Sequence, residues 1–286
     1  MSELPSNNDL ESIRILMNNT PEEDFLDLSP NDMHDLLYNT FGKDSPLRIN
    51  ASPSDDVLNQ IPFFRLTEEF LKLLAREKKI KLTPLGALPK KVLTELYTHR
   101  LILSDGVESG IHTLTREHDW NALEMTHYNL QGAGLIRKVY GRLVLTKEAS
   151  KLLVPANRAK LFTKVLQAYT EKLNWSAIDG YPEVPVGNLG WGFTILLLLK
   201  HGSEPKELKF YADKYLKAFP FFMRDFQKSH FSTPEEYFMR CYILRSFPRF
   251  LEWWGFVDTE KDKTRRDSEN LKTKATPILK HVFEAV

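Results

Sequence analysis

Arg137, Lys138 and Arg142 stand on either side of Tyr140-Gly141 in the stretch GAGLIRKVYGRLVLTKEASKLL, residues 132–153. Cations this close together can neutralise phosphate oxygens, which supplies affinity without reading sequence. In a strand, Arg137 and Val139 point one way and Lys138 the other, so the three cannot all engage one surface. A second concentration of bases comprises Lys261, Lys263, Arg265 and Arg266, followed by Lys272 and Lys274. It is interleaved with Asp258, Glu260, Asp262, Asp267 and Glu269, so it reads as a solvated loop as readily as a phosphate clamp. Upstream of the first cluster, WNALEMTHYNLQGAG offers Asn121, Thr126, Asn129 and Gln131. Amides and hydroxyls of this kind read base edges, and Asn and Gln suit adenine, but the segment has no arginine for guanine.

Chemistry beyond binding finds little support. Four of the eight histidines, His99, His112, His118 and His127, lie close to Asp105, Glu117 and Asp119. No pair has the HExxH spacing and no cysteine accompanies them, so a polar loop is the better reading than a metal site. Phosphate-cradling glycine motifs and a nucleophile elbow are missing. Cys241 is the only cysteine, which rules out an intrachain disulfide and fits a reducing compartment. It falls in an aromatic, apolar helix, where a thiol is inert. Arg245 and Arg249, beside Phe247, Phe250, Trp253 and Trp254, read as structural as readily as phosphate-binding, since their stems can cover aromatics and their heads can pair with acids such as Glu252. No catalytic residue, metal or cofactor is expected.

The elements that position the bases are mostly helical. TPEEDFLDL suggests a helix capped by Thr20 with Pro21 at its first position, and SPNDMHDLLYNTF repeats the pattern with Ser29 and Pro30. In the latter, Met33, Leu36, Leu37 and Phe41 form a stripe that must find a core. Residues 42–56 read as a loop. PFFRLTEEFLKLLAREKK is amphipathic, IKLT is a short strand, and PKKVLTELYTHRLI turns Val92, Leu93, Leu96 and Tyr97 inward. Leu135–Val139 and Arg142–Leu145 alternate around Tyr-Gly as a tight hairpin, and Thr146 caps the helix that follows. The order recurs about 120 residues later: a helix, Gly255, strand FVDTE, a polar turn, strand LKTKA and helix TPILKHVF. Between the two, residues 155–230 hold a basic amphipathic helix and the nearly all-apolar WGFTILLLLKHG, which must be covered on every side. That apolar run is about half a membrane span, so no membrane is expected.

A helix followed by glycine and a β-hairpin resembles the winged helix-turn-helix superfamily over roughly 85–155 and 230–286. That resemblance implies that the helix before the hairpin enters a DNA major groove and that the hairpin is a wing. The segments LSPNDMHDLLYNTFGKDSP, LTPLGALPKKVLTELY and CYILRSFPRFLEWWGFVD are similar to a group of poorly characterised bacterial proteins. The usual form there is closer to TxxGNLP, whereas this chain has Gly86-Ala87-Leu88-Pro89 and so lacks that asparagine. This resemblance implies a bacterial, cytoplasmic protein and brings no activity.

The fold expected is mainly α (α+β): a helical core with two winged-helix-like units, each carrying a small hairpin. The divisions are an acidic helical segment at 1–60, a first unit at 61–154, a helical core at 155–230 and a second unit at 231–286. Charge divides along the chain. Residues 1–60 hold 12 acids and 3 bases, and the remaining 226 hold 36 bases and 26 acids. A basic body suits a polyanion, and an acidic arm suits a basic partner. The adopted reading is a nucleic-acid-binding regulator that grips double-stranded DNA phosphates through its wings. The alternative is a scaffold whose winged helices and acidic segment dock on a protein partner, since fold does not fix function. An enzyme whose site no motif reveals is the third class, set aside here.

Overall fold

The computed structural model describes residues 7–228, 232–261 and 268–286. The N-terminal segment folds as α1 (Asn7–Asn19) and α2 (Pro30–Tyr38), joined by a single 3-10 turn, Glu23–Phe25. Thr20 does not cap a helix; its hydroxyl donates to the Leu16 carbonyl 2.8 Å away and closes the end of α1. The acids after Pro21 therefore line a turn in which Leu26 and Asp27 take positive φ and Glu22 bridges to Leu28. Ser29 does cap α2, in a reciprocal box with Asp32. Met33 and Leu36 are buried, and Leu37 and Phe41 pack against the core at its edge.

The segment read as a loop holds strand β1 (Leu47–Ile49) and helix α3 (Asp55–Leu58). Strand β1 pairs antiparallel with the C-terminal strand β8 (Phe283–Ala285), in the register Leu47↔Ala285 and Ile49↔Phe283. Helix α13 (Pro277–Val282) thus stops before the end of the TPILKHVF run. Neither strand shows alternation long enough to be seen alone, and each exists only because the other supplies its hydrogen bonds.

Two stretches follow the same order of elements except that the first carries one extra short helix, α6. The first runs α4 (Pro62–Glu77), β2 (Ile80–Lys81), α5 (Lys90–Tyr97), α6 (Asp105–Glu108), α7 (Asn121–Gly132), β3 (Ile136–Val139) and β4 (Arg142–Leu145). Helices α8 (Lys147–Leu152) and α9 (Arg158–Glu171) follow it. The second runs α10 (Trp191–His201), β5 (Lys206–Glu207), α11 (Leu208–Ala218), α12 (Pro234–Ser246), β6 (Val257–Thr259) and β7 (Lys272–Ala275). Each forms a three-stranded antiparallel sheet in which the last strand lies between the other two, β2-β4-β3 and β5-β7-β6. Strand β5, which lies within the 155–230 stretch, thus joins the sheet formed by the two strands of 231–286. A two-residue strand with sequence Lys-Glu carries no apolar alternation to announce it.

One buried cluster runs from Met33 to Phe283 and joins the two repeats. Trp254 is fully buried at its centre, with ring centroids 5.2 Å from Phe63 of α4, 6.0 Å from Phe162 of α9 and 5.4 Å from Tyr169 of α9. Helix α10 has eight buried residues in a row from Trp191, as its all-apolar composition requires. Arg158 ties α9 to the first repeat. Its guanidinium meets Glu68 at 2.7 and 2.8 Å and Asp55 at 2.9 Å, above the Phe64 ring. No helix among the described residues is long and apolar enough to cross a membrane.

Candidate nucleic-acid interface

The first hairpin turns at Tyr140 (φ 46°) and Gly141 (φ 70°), two consecutive left-handed residues. This is the type I′ pattern whose twist matches the flanking strands. Register then decides what each side chain faces. Arg142 stands opposite Val139 on one side and Lys81 on the other, and Arg137 stands opposite Val144. Partners across an antiparallel pair share a face, as do residues two apart along a strand. Lys81, Arg142 and Arg137 therefore lie on one face, all exposed, with half-buried Val139 and Val144 between them. Neighbouring strands are about 4.8 Å apart and diagonal positions about 7–8 Å, so the three charges form a compact triangle. Lys138 lies on the opposite face with Ile136 and Leu143, and its ammonium reaches over Gly86.

Among the described residues, none of Lys81, Arg137, Lys138 and Arg142 forms an ion pair or side-chain hydrogen bond. Lys78 and Lys79 extend the exposed basic field at the end of α4. The sequence carries a signal for this that the reading of single motifs overlooks. Residues 78–94 hold five lysines and no acid, and residues 125–147 hold Arg137, Lys138, Arg142 and Lys147 and no acid. Strand β2 brings these two windows side by side. Lys81 is the residue missed, because its pairing with β4 spans 61 positions in the chain.

The helix before the hairpin does not offer the groups expected of it. Helix α7 packs between α4 and α9, and Thr126 and Asn129 are fully buried. The Thr126 hydroxyl donates to the Ala122 carbonyl at 2.7 Å, and the Asn129 amide to the Val165 carbonyl at 3.1 Å. Asn121 is half-buried at the rim of a cleft, and exposed Gln131 bonds His127 Nε2 at 2.7 Å. His127 in turn meets Glu117 at 2.6 Å, and Glu117 accepts from the Leu88 backbone N–H at 2.9 Å. These polar groups anchor α7 to the 83–89 turn. With Thr126 and Asn129 consumed in the core, Gln131 tied to His127 and Glu124 on the open side, α7 presents little base-reading surface. The other histidines disperse too: His118 meets Glu124 at 3.1 Å, and His99 lies 3.8 Å from Glu69. No three His, Cys, Asp or Glu side chains converge as a metal site among the described residues.

The second hairpin differs in charge. Lys274 stands opposite Asp258, and Lys272 meets Glu260 through both its backbone groups. Lys261 is exposed beyond them, and Lys263, Arg265 and Arg266 lie outside the described residues. Arg245 and Arg249 are structural, but their acid is Asp179 rather than Glu252. Arg245 grips Asp179 at 2.7 and 2.9 Å and the Val184 carbonyl at 2.6 Å, with both charged side chains out of solvent. Arg249 sits on a π-helical turn, Phe247–Glu252, 3.7 Å from Asp179, and burial pulls its guanidinium below the ordinary value. Cys241 is fully buried, and desolvation pushes its thiol up to about 12, so it is inert at neutral pH.

A cleft of about 920 Å³ opens between the 101–122 segment and this π-turn, lined by His112, Asp119, Arg249, Glu252 and Trp253 among others. Half-buried Glu252 has its carboxyl raised, first by desolvation and further by Asp258 and Asp105, with Thr259 and Lys261 opposing. A carboxyl raised on folding costs stability once pH climbs above its unfolded value, and the cost is complete above the folded value. Glu252→Gln should therefore melt at a higher temperature than wild type at pH 7, with the gap closing below about pH 4. A variant less stable than wild type at pH 7 would show that the carboxylate is stabilised instead.

Compared with family models, curated proteins and solved structures, the chain matches none of them.

Proposed function

We propose that this chain binds nucleic acid through the outer face of its first three-stranded sheet, where Lys81, Arg137 and Arg142 neutralise backbone phosphates. One observation carries the reading: three exposed cations share a face and have no acidic partner among the described residues. Charges left unpaired in this way suit a polyanion, because the release of its counterions supplies the affinity. The similar order in the two stretches, helix, strand, two helices and hairpin with the short α6 added in the first, and the final strand central in both sheets support winged-helix-like units. In this reading the wing makes the contact and α7 does not, so binding is governed by phosphate and carries little sequence preference. The second hairpin, with Lys274 and Asp258 opposed, contributes less.

Titration of a labelled DNA duplex tests this. Three neutralised phosphates predict a slope near about −2.7 in log K against log salt. Affinity should then fall roughly 40-fold between about 50 and 200 mM salt. A wild-type chain that binds no duplex at the lowest salt would sink the proposal.

A second reading draws on α1. Its Leu10, Ile13, Ile15, Leu16 and Met17 are all between 49% and 68% exposed, on a helix of 13 residues that touches mainly α2. A helix that short is marginal without a covering surface. This favours a protein partner docking on the acidic N-terminal segment, and a null duplex titration would transfer the weight to it.

A further inference from the structure

Tyr140 is completely exposed and Leu85 is 97% exposed, the two most exposed large apolar side chains among the described residues. They sit on adjacent turns. The Leu82 N–H donates to the Gly141 carbonyl at 3.0 Å, and the Lys138 ammonium lies 3.1 Å from where a Cβ on Gly86 would stand. Neither side chain is there for the turn that carries it. The first position of a type I′ turn favours Asn, Asp or Gly, and a bulky residue at positive φ is strained. Tyr140 nonetheless holds φ 46° and packs on nothing. An aromatic ring presented in this way at the edge of an acid-free basic face is what base stacking uses.

Resting on the phosphate-binding reading above, we infer that the tip of this hairpin stacks on unpaired bases, with Tyr140 as the platform and Leu85 as its apolar flank. The preferred ligand is then a nucleic acid with a single-stranded stretch, alone or at the end of a duplex. In a closed duplex the base faces are already stacked on one another, and opening a step costs more than a few surface cations supply. An unpaired base offers its face freely. The outer-face cations Lys81, Arg137 and Arg142 hold the backbone, and the ring beyond them takes a base. Stacking tolerates any sequence because every base has a π-face, which agrees with the little base-reading surface on α7.

The test uses the full chain and three labelled probes: a blunt duplex, the same duplex with a single-stranded tail, and a single strand of equal length. Wild type should bind the tailed and single-stranded probes roughly ten-fold tighter than the blunt one. Tyr140→Ala should erase that preference and leave blunt-duplex affinity and its salt slope unchanged, while Tyr140→Phe keeps the preference. Tyr140→Gly suits the left-handed backbone, so it should lose the preference with its melting temperature unchanged or raised. That separates a stacking role from a structural one. Equal affinity of wild type for all three probes, or a preference that survives in Tyr140→Ala, overturns the inference while phosphate binding stands. If wild type binds none of the probes, both readings fail together.

Discussion

Asp179→Ala should destabilise the chain by about 3–5 kcal/mol, the usual consequence of removing one partner of a buried ion pair. The residue lies in a turn-rich loop, yet its side chain is 1% exposed and that of Arg245 fully buried. Removing the carboxylate leaves Arg245 with only the Val184 and Pro182 carbonyls, at 2.6 and 3.0 Å. It also takes the nearest anion from Arg249, 3.7 Å away on the π-helical turn. Two guanidiniums would then share a dry interior without a counterion. Urea denaturation reads the loss as a lower midpoint at constant slope. The double variant Asp179→Ala/Arg245→Met should lose less than the two single losses combined, by about 0.5–3 kcal/mol, because the orphaned charge goes with its partner. An Asp179→Ala loss below about 1 kcal/mol would show that water reaches the pair and that it does not lock the 179–190 loop to α12.

Most helix caps and short-range turns are legible from sequence because their physics is local, although Thr20 closes α1 instead of capping the helix that Pro21 suggests. Ser29, Thr146 and the Tyr140-Gly141 turn each follow from residues within three positions. Both hairpins, at 136–145 and 257–275, fall where alternation placed them. Long-range pairing was not legible. Strand β1 finds β8 across more than 230 positions, and β5 is two charged residues whose strand character comes wholly from β7. The site was half legible for the same reason. Arg137 and Arg142 stand out as local charges, but their shared face depends on hairpin register, and Lys81 joins them only through sheet topology. The polar residues of α7 misled because Asn, Thr and Gln are equally suited to base edges and to buried backbone carbonyls. Only the packing of α4 and α9 against both sides of the helix decides between them. The aromatic surroundings of Arg245 and Arg249 left structural and phosphate-binding roles equally open, and only the buried pairing with Asp179 decides for the structural one. Nearby Glu252 is the acid that local sequence offers, whereas the actual partner, Asp179, lies 66 residues from Arg245.

Neutralising Arg137 and Arg142 together should weaken binding to any duplex by roughly 60-fold at about 0.1 M salt, since each lost phosphate contact removes about 0.9 from the log–log salt slope. The slope itself should fall from about −2.7 to about −0.9, leaving Lys81 as the remaining contact. Arg137→Gln/Arg142→Gln keeps the aliphatic stems over Val139 and Val144 while removing the charge, so the sheet face stays covered. Both side chains are exposed and unpaired among the described residues, and such substitutions usually stay within about 0.5 kcal/mol each. Thermal unfolding should therefore leave the variant close to wild type, which separates lost contact from lost fold. Lys138→Gln is the internal control. Its ammonium lies on the opposite face above Gly86, so the salt slope should barely change. Lys274→Gln, opposite Asp258 on the second hairpin, should likewise leave it unaltered. If the double variant retains the wild-type slope while Lys274→Gln flattens it, the contact belongs to the second hairpin and the first is structural. The predicted pattern, with loss at 137 and 142 and none at 138, follows from strand register alone, because adjacent residues of one strand face opposite sides of the sheet.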